Sequence, residues 1–285
     1  FIFDNGGKFA VNAMCKILEV DESGYYKWLK RRSKPTGRQL LLVEIGKILA
    51  EHEDNKSYGA RRMHKALEQH GIKRSYGTVA SVMREAGLLH KRRKPNGITK
   101  ADTETQEREN LIKRDFSAEK PLKKLLTDIT EVPCYDGKLY VSPVLDCFNG
   151  EIIALEMREN MKKELCIDTI KQLGKLEGTV LHSDRGCQYT SHAFRKQLAK
   201  QGMIQSLSGT GHCYDNARME SFFATLKKEK LYQIPTHRMT RAEVKTVIFR
   251  YIFGYYNTQR INSFNPEGMP PTAYRKAFIN KINAA

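Results

Sequence analysis

Cysteine is scarce and scattered in this chain: six in 285 residues (Cys15, Cys134, Cys147, Cys166, Cys187 and Cys213), with no Cys-x-x-Cys pair. That excludes a disulfide framework and a zinc knuckle, both of which need cysteines at short, paired spacings. His212-Cys213 and His182 with Cys187 lack a second close pair of ligands, so free thiols in a reducing cytoplasm are expected. Apolar runs are short. None is long enough to span a bilayer, and no secretory leader is visible, so a membrane role is disfavoured. Acidic residues are also in short supply, 32 Asp and Glu against 49 Lys and Arg, a formal charge of +17. A surplus of that size calls for a polyanionic partner, and with membranes set aside the partner is nucleic acid. The chain opens on Phe1 rather than Met and is read as one part of a longer product.

The positive charge is concentrated. Between Tyr26 and Lys100 there are nineteen Lys and Arg against six Asp and Glu. Residues 1–37 read as a short helical segment and linker. Ala10, Met14, Ile17 and Leu18 form one apolar stripe, and Tyr25, Trp28 and Leu29 continue it beyond a turn at Val20-Asp21-Glu22-Ser23. A helix-turn-helix and a hairpin that merely packs are equally compatible with that pattern. Residues 38–90 read as three helices. Leu41, Leu42, Ile45, Ile48 and Leu49 recur at helical spacing, Gly71 stops the second helix, and Ser75 caps the third. Arg61, Arg62, Lys65, Lys73 and Arg74 should lie outside, as in a helix-turn-helix module whose cations contact phosphate. Residues 91–120, with Arg92 and Arg93, read as a basic, polar linker.

From 121 to 235 the pattern changes to strands and helices. Leu125–Val132, Lys138–Asp146 and Glu151–Met157 read as three strands, the first two joined at Asp136-Gly137. Met161–Leu176 is predicted as a helix, Gly178–Ser183 as a strand, His192–Gln201 as a helix and Ile204–Ser208 as a last strand. Such an order gives a mixed sheet flanked by helices. Residues 236–285 read as an aromatic-rich helix, Thr240 to Tyr256, more suited to core packing than to base stacking, followed by a basic tail.

Three acids stand out. Asp128 sits in the apolar run Leu125-Leu126-Thr127-Asp128-Ile129-Thr130. Asp184 closes a strand that Arg185-Gly186 breaks, the place where α/β sheets put ligands. Glu220 comes after a gap of thirty-five residues, in the first turns of an amphipathic helix. Three converging carboxylates repel one another unless cations hold them, so a metal-free site should be poorly ordered and its carboxyls hard to ionise. Asp215, just before the helix, reads as its N-cap. His182 shares a strand face with Asp184, either as an outer hydrogen-bond partner or as a buried residue. Lys227, two turns beyond Glu220, is placed to hold DNA phosphate.

These motifs carry a resemblance. Thr127-Asp128-Ile129-Thr130, His182-Ser183-Asp184-Arg185-Gly186-Cys187-Gln188-Tyr189 and Asp215-Asn216-Ala217-Arg218-Met219-Glu220-Ser221-Phe222-Phe223 resemble the Asp-Asp-Glu core of bacterial insertion-sequence transposases. The likeness is to the second-reading-frame product of insertion-sequence family three, whose core is similar to retroviral integrase. It extends to Tyr58-Gly59-Ala60-Arg61-Arg62, Tyr255-Tyr256-Asn257 and Pro271-Thr272-Ala273-Tyr274. One departure is visible: Leu125-Leu126 replace the family's usual tryptophan before the first acid. The resemblance implies an RNase-H-like α/β core preceded by all-α helix-turn-helix DNA-binding domains. It implies a DNA transposase that cuts element ends and transfers a 3′-hydroxyl, with Asp128, Asp184 and Glu220 as catalytic metal ligands. Two Mg²⁺ ions are implied, with Mn²⁺ as a substitute: Asp128 would bridge them, and Asp184 and Glu220 would each complete one site. The implied partners are double-stranded DNA, both terminal inverted repeats and target, and a second copy, at least a dimer on DNA. The implied location is the bacterial cytoplasm, at the nucleoid. A nuclease of similar fold that only hydrolyses, and a DNA-binding regulator with an inactive core, are the two alternatives.

Overall fold

The computed structural model describes residues 1–32, 34–89, 110–209, 213–265 and 267–284. Two compact units result, Phe1–His90 and Lys91–Ala285. The first is helical: α1 (Ile2–Asn5), α2 (Val11–Ile17), α3 (Glu22–Arg32), α4 (Gly37–Ala50), α5 (Ala60–Gln69) and α6 (Tyr76–Glu85), with a 3₁₀ turn at Glu53–Ser57. The expected stripe on α2 is corrected. Met14 and Cys15 are buried with Ile2 and Tyr25, while Ile17, Leu18 and Trp28 are exposed. The helix ends at Ile17 and Glu19 takes φ 53°, so the chain turns before Leu18 can continue the face. The α4–α6 bundle rests on buried Leu41, Ile45, Ile48, Met63, Leu67, Val79, Val82 and Met83, whereas Leu42 stays exposed. The starts of α4 and α6 are capped. The Thr36 hydroxyl accepts from the Gln39 amide while the Gln39 side chain accepts from Thr36, and Ser75 accepts from the Thr78 amide. Gly71, at φ 74°, ends α5 in the left-handed region that a side chain disfavours.

The second unit is built on six strands, β1 (Lys124–Thr127), β2 (Thr130–Cys134), β3 (Gly137–Asp146), β4 (Ile152–Arg158), β5 (Val180–Ser183) and β6 (Ile204–Leu207). The single strand expected over Leu125–Val132 is divided in two. Both pieces run antiparallel to β3 in unbroken register, Thr127 opposite Val144 and Thr130 opposite Val141. Asp128 and Ile129 lie in the gap, where the Ile129 amide donates to the Asp128 carboxylate at 2.7 Å. A second reason for the division is a change of partner: β1 also pairs in parallel with β5, and β5 with β6. The sheet order is β2-β3-β1-β5-β6, with β4 on the other side of β3.

Around the sheet run α7 (Lys163–Lys171), α8 (Cys187–Thr190), α9 (His192–Lys200), α10 (Ala217–Glu229), α11 (Arg241–Phe249) and α12 (Pro271–Asn283). One core cluster joins Leu125, Val144, Ala154 and Leu181 of the strands to Cys166 and Ile170 of α7 and to Phe194 and Leu198 of α9. Burial of such side chains, about 1.5–3 kcal/mol each, is what holds helices on a sheet. The expected helix Thr240 to Tyr256 is α only as far as Phe249 and continues as a π-helix from Arg250 to Tyr256. Tyr251, Tyr255 and Tyr256 are buried there, in keeping with packing rather than stacking on bases.

The residues beyond Arg260 are not a tail. The Asn257 amide group mimics a strand residue, accepting from the Ile152 amide at 3.0 Å and donating to the Ile152 carbonyl at 2.9 Å. Thr272 hydrogen-bonds the Asn257 carbonyl through both amide and hydroxyl. Arg275 on α12 donates to the fully buried Asp146 at 2.7 Å. Arg260 grips Glu229 at the end of α10 with two 2.8 Å hydrogen bonds, and Tyr251 donates to the same carboxylate. With side chains only 11% and 7% exposed, this ion pair is desolvated and costly to break. Arg260→Ala should therefore lower stability by about 3–5 kcal/mol, seen as a lower denaturant midpoint. A loss below about 1 kcal/mol would mean that the pair behaves like a surface contact.

Candidate active site

The register of the two parallel strands brings the first two acids together. Leu126 of β1 lies opposite His182 of β5, so two residues further on Asp128 and Asp184 leave the same end of the sheet side by side. Asp128 is half-buried and Asp184 exposed. The Asp128 carboxyl is raised from its ordinary 3.8 to about 7, first by burial and then by the negative charge of Asp184, with a smaller push from Glu220. Asp184 is steered by its own loop, its Oδ1 accepting from the Gly186 amide at 2.9 Å. A Cβ on Gly186 would lie 3.0 Å from that oxygen and 3.0 Å from Gln188 Oε1, so a larger residue there would press on both side chains. Behind the pair, the fully buried Tyr189 places its hydroxyl 3.5 Å from the Thr127 hydroxyl, which donates to the Pro143 carbonyl.

Glu220 lies on the first turn of α10 and is exposed, its carboxyl raised by partial burial. Asp128 feels its charge. Among the described residues, however, no three His, Cys, Asp or Glu side chains meet at metal-holding distance. The charges of Asp184 and Glu220 both reach Asp128. Lys227, further along α10, also lies within the field of Asp128 and opposes the rise in its pKa.

His182 is wholly buried, with Nδ1 2.8 Å from the Ser206 hydroxyl and Nε2 3.0 Å from the Ser208 hydroxyl. Burial lowers its pKa to about 4, so the ring is neutral near pH 7. Both ring nitrogens are taken by serines beside β5, and neither turns to Asp184. Asp215 does not cap α10. Asn216 holds the cap position without a side-chain cap bond, and Asp215 instead accepts from Asn110, Arg114 and the Gly209 amide. That arrangement was not legible as a cap alternative; its only sequence signal is the run of three polar side chains, Asp215, Asn216 and Arg218, at the buried start of an amphipathic helix.

In the helical unit Arg61, Lys73 and Arg74 are exposed. Arg62 is half-buried over the Tyr58 ring, 5.3 Å from its centre, and Lys65 pairs with Glu68 at 3.3 Å. Arg92 and Arg93 lie outside the described residues.

Comparison with known proteins identifies the family. The integrase core domain family matches residues 118–213, a second integrase core family matches 220–278, and an HTH-like domain family matches 38–96. The InsK protein of insertion sequence element IS150 from Escherichia coli strain K12 is 33% identical over 271 residues, 94% of each chain. The transposase InsF for insertion sequence IS3A, from the same strain, is 32% identical over 93% of each. The chain belongs to the IS3 family of insertion-sequence transposases. Among solved structures, the catalytic core domain of HTLV-2 integrase is 16% identical, with a TM-score of 0.41 over 55% of this chain and 97% of that one.

Within this IS3-family member the mixed sheet flanked by helices is the RNase-H-like integrase core, and the HTH-like unit precedes it. The donor set suits a hard divalent cation, because all three acids offer oxygen. The pH dependence has a definite sign. The folded, metal-free chain keeps the Asp128 proton up to about 7, whereas the unfolded chain releases it near 3.8. This group therefore disfavours folding progressively as pH rises between those values, and the penalty is complete above the upper one. Carboxyl ¹³C NMR of the metal-free protein should show Asp128 titrating near 7, and Asp184→Asn should lower that midpoint. An Asp128 midpoint already at the ordinary 3.8 in the parent protein would contradict the geometry described.

Proposed function

We propose that this transposase cleaves the ends of an insertion sequence and joins the freed 3′-hydroxyl to target DNA at the site formed by Asp128, Asp184 and Glu220. The observation that carries the reading is the adjacency of Asp128 and Asp184 at one end of two parallel strands, with Asp128 held at about 7 by burial and by its acidic neighbours. Asp128 and Asp184 supply oxygens from fixed strand ends, and Glu220 completes the set from the first turn of α10. Two Mg²⁺ ions, for which Mn²⁺ substitutes, would activate the attacking hydroxyl and stabilise the leaving oxygen when bound there. Lys227 holds a backbone phosphate next to the acids. Tyr189 and Thr127 keep β1 in place from below, and His182, being neutral and doubly bonded, holds β5 and β6 in register rather than moving a proton.

The helix-turn-helix unit recognises the terminal inverted repeats, with Arg61, Arg62, Lys65, Lys73 and Arg74 directed at phosphate. Paired ends call for at least two copies of the chain on DNA. Such work belongs in the cytoplasm, at the nucleoid, and among the described residues no helix is long and apolar enough to cross a membrane.

The direct test is a strand-transfer assay with Mg²⁺ on DNA carrying element ends. Asp184→Asn should reduce joining by more than about a hundredfold, beyond what changes outside the coordination shell cost, while leaving end binding intact. Hydrolysis without joining in the parent protein would identify a nuclease instead, and binding without chemistry a regulator. For the DNA-binding unit, Arg61→Ala should weaken binding to all sequences alike and flatten the salt dependence of log K by about 1. A loss confined to one base position would show that Arg61 reads sequence.

A further inference from the structure

Ahead of β1, residues 110–116 form a short strap across the core. Asn110 and Ile112 are buried, and Lys113 and Arg114 take φ 50° and 63°, so two consecutive side-chain-bearing residues adopt the left-handed conformation. That conformation persists only where surrounding bonds hold it. Here they do. The Leu111 amide donates to the Ser206 hydroxyl at 3.0 Å, the same hydroxyl that bonds His182 of β5. Lys124, at the start of β1, donates to the Asp115 carboxylate at 2.6 Å and to its carbonyl at 2.9 Å. Arg218 of α10 donates to the Phe116 carbonyl and, at 2.6 Å, to the Cys147 carbonyl.

The tightest point of the strap is Asp215. Its carboxylate accepts from Arg114 Nε at 2.8 Å, from Asn110 Nδ2 at 2.9 Å and from the Gly209 amide at 3.1 Å. The next residue, Asn216, donates from Nδ2 to the Thr127 carbonyl at 3.2 Å, one residue before Asp128. Glu220 follows by one helical turn. The strap thus touches the strand of Asp128, the neighbour of the strand of Asp184, and the turn that launches the helix of Glu220. Both halves of this clamp fall outside the matched family segments, which cover 38–96, 118–213 and 220–278.

We infer that residues 110–116, through Arg114, Asn110 and Asp215, are a positioning element that sets Glu220 relative to Asp128 and Asp184. The inference rests on the three-acid reading above. Because the acids are not drawn together by their own chemistry, something must fix the angle at which α10 presents Glu220. Asp215 and Asn216 are consecutive and face two different anchors, the strap on one side and β1 on the other. Loosening either one lets the first turn of α10 tilt.

The test uses the full chain with Arg114→Ala, Asp215→Ala and the double variant, beside Asp184→Asn. Arg114 is half-exposed, and the denaturant midpoint of each variant, measured alongside, separates loss of positioning from loss of the fold. Joining should fall by about a hundredfold, the cost of a displacement near 1 Å, in kcat and with KM for end DNA unchanged. The double variant should be no worse than Asp215→Ala alone. Hydrogen exchange of the metal-free protein should show the amides of Gly209, Leu111 and the first turn of α10 losing protection together, while β3 and β4 stay protected. Arg114→Lys should restore part of both signals. Full kcat and unchanged α10 protection in Arg114→Ala and Asp215→Ala would overturn the inference. If Asp184→Asn retained joining, the three-acid reading would fail, and the exchange pattern would still decide whether the clamp holds α10.

Discussion

Parallel pairing of β1 with β5 is the constraint on which the catalytic core depends. A parallel pair sends both chains out at the same end of the sheet, and Leu126 opposite His182 fixes which residues emerge together. Shifting either strand by one residue would turn its side chains to the other face and separate the acids. Buried Leu125 and Leu181 on the one hand, and the ring of His182 tied to two serines on the other, hold that register from both faces. Burial, and after it the charge of Asp184, raises the Asp128 carboxyl, which keeps its proton to near neutral pH. A site arranged in this way is electrostatically unstable by itself and becomes favourable only with a positive partner.

The third acid obeys a different logic. Glu220 is not on the sheet, so its position depends on how α10 is held at each end. At the far end Arg260 and Tyr251 grip Glu229 in a desolvated cluster, and at the near end Asp215, Asn216 and Arg218 bind the strap, β1 and the turn after β3. Six polar side chains are therefore spent on orienting one helix. A hydrophobic face alone would hold α10 against the sheet but would allow it to roll, because apolar packing has little directional preference. Hydrogen bonds at both ends remove that freedom. The π-helical stretch from Arg250 to Tyr256 serves the same purpose, since it turns Tyr251, Tyr255 and Tyr256 inward together.

Much of this was legible beforehand, and the parts that were not have physical causes. Alternation and turn chemistry located β3, β6, α9 and the Asp136-Gly137 turn, where Gly137 takes φ 119°. The division of the first strand at Asp128 was hidden, because a carboxylate that takes the next backbone amide looks, in one dimension, like any acid within an apolar run. The docking of the C-terminal segment was hidden for a related reason. Asn257 satisfies a strand edge with a side chain, and no periodicity announces that kind of pairing. The motifs Tyr255-Tyr256-Asn257 and Pro271-Thr272 were visible as words; their meaning, a clasp on the β3–β4 turn, depends on distance in space.

Asp215 shows where one-dimensional reasoning stops most clearly. An aspartate before a helix is a cap in most proteins, since the exposed amides of the first turn attract it. In this chain those amides face a competitor. Arg114, Asn110 and the Gly209 amide together offer the carboxylate three donors, and the guanidinium adds a full positive charge that first-turn amides lack. The carboxylate is 6% exposed, which makes three satisfied bonds a requirement rather than a preference. The helix then starts on Asn216 without a side-chain cap, a cost that the fold accepts because Asn216 is needed elsewhere, on the carbonyl of Thr127. Where a sequence gives up a local rule at two neighbouring positions, the compensating interaction lies in tertiary structure, and here it lies one turn from the third acid.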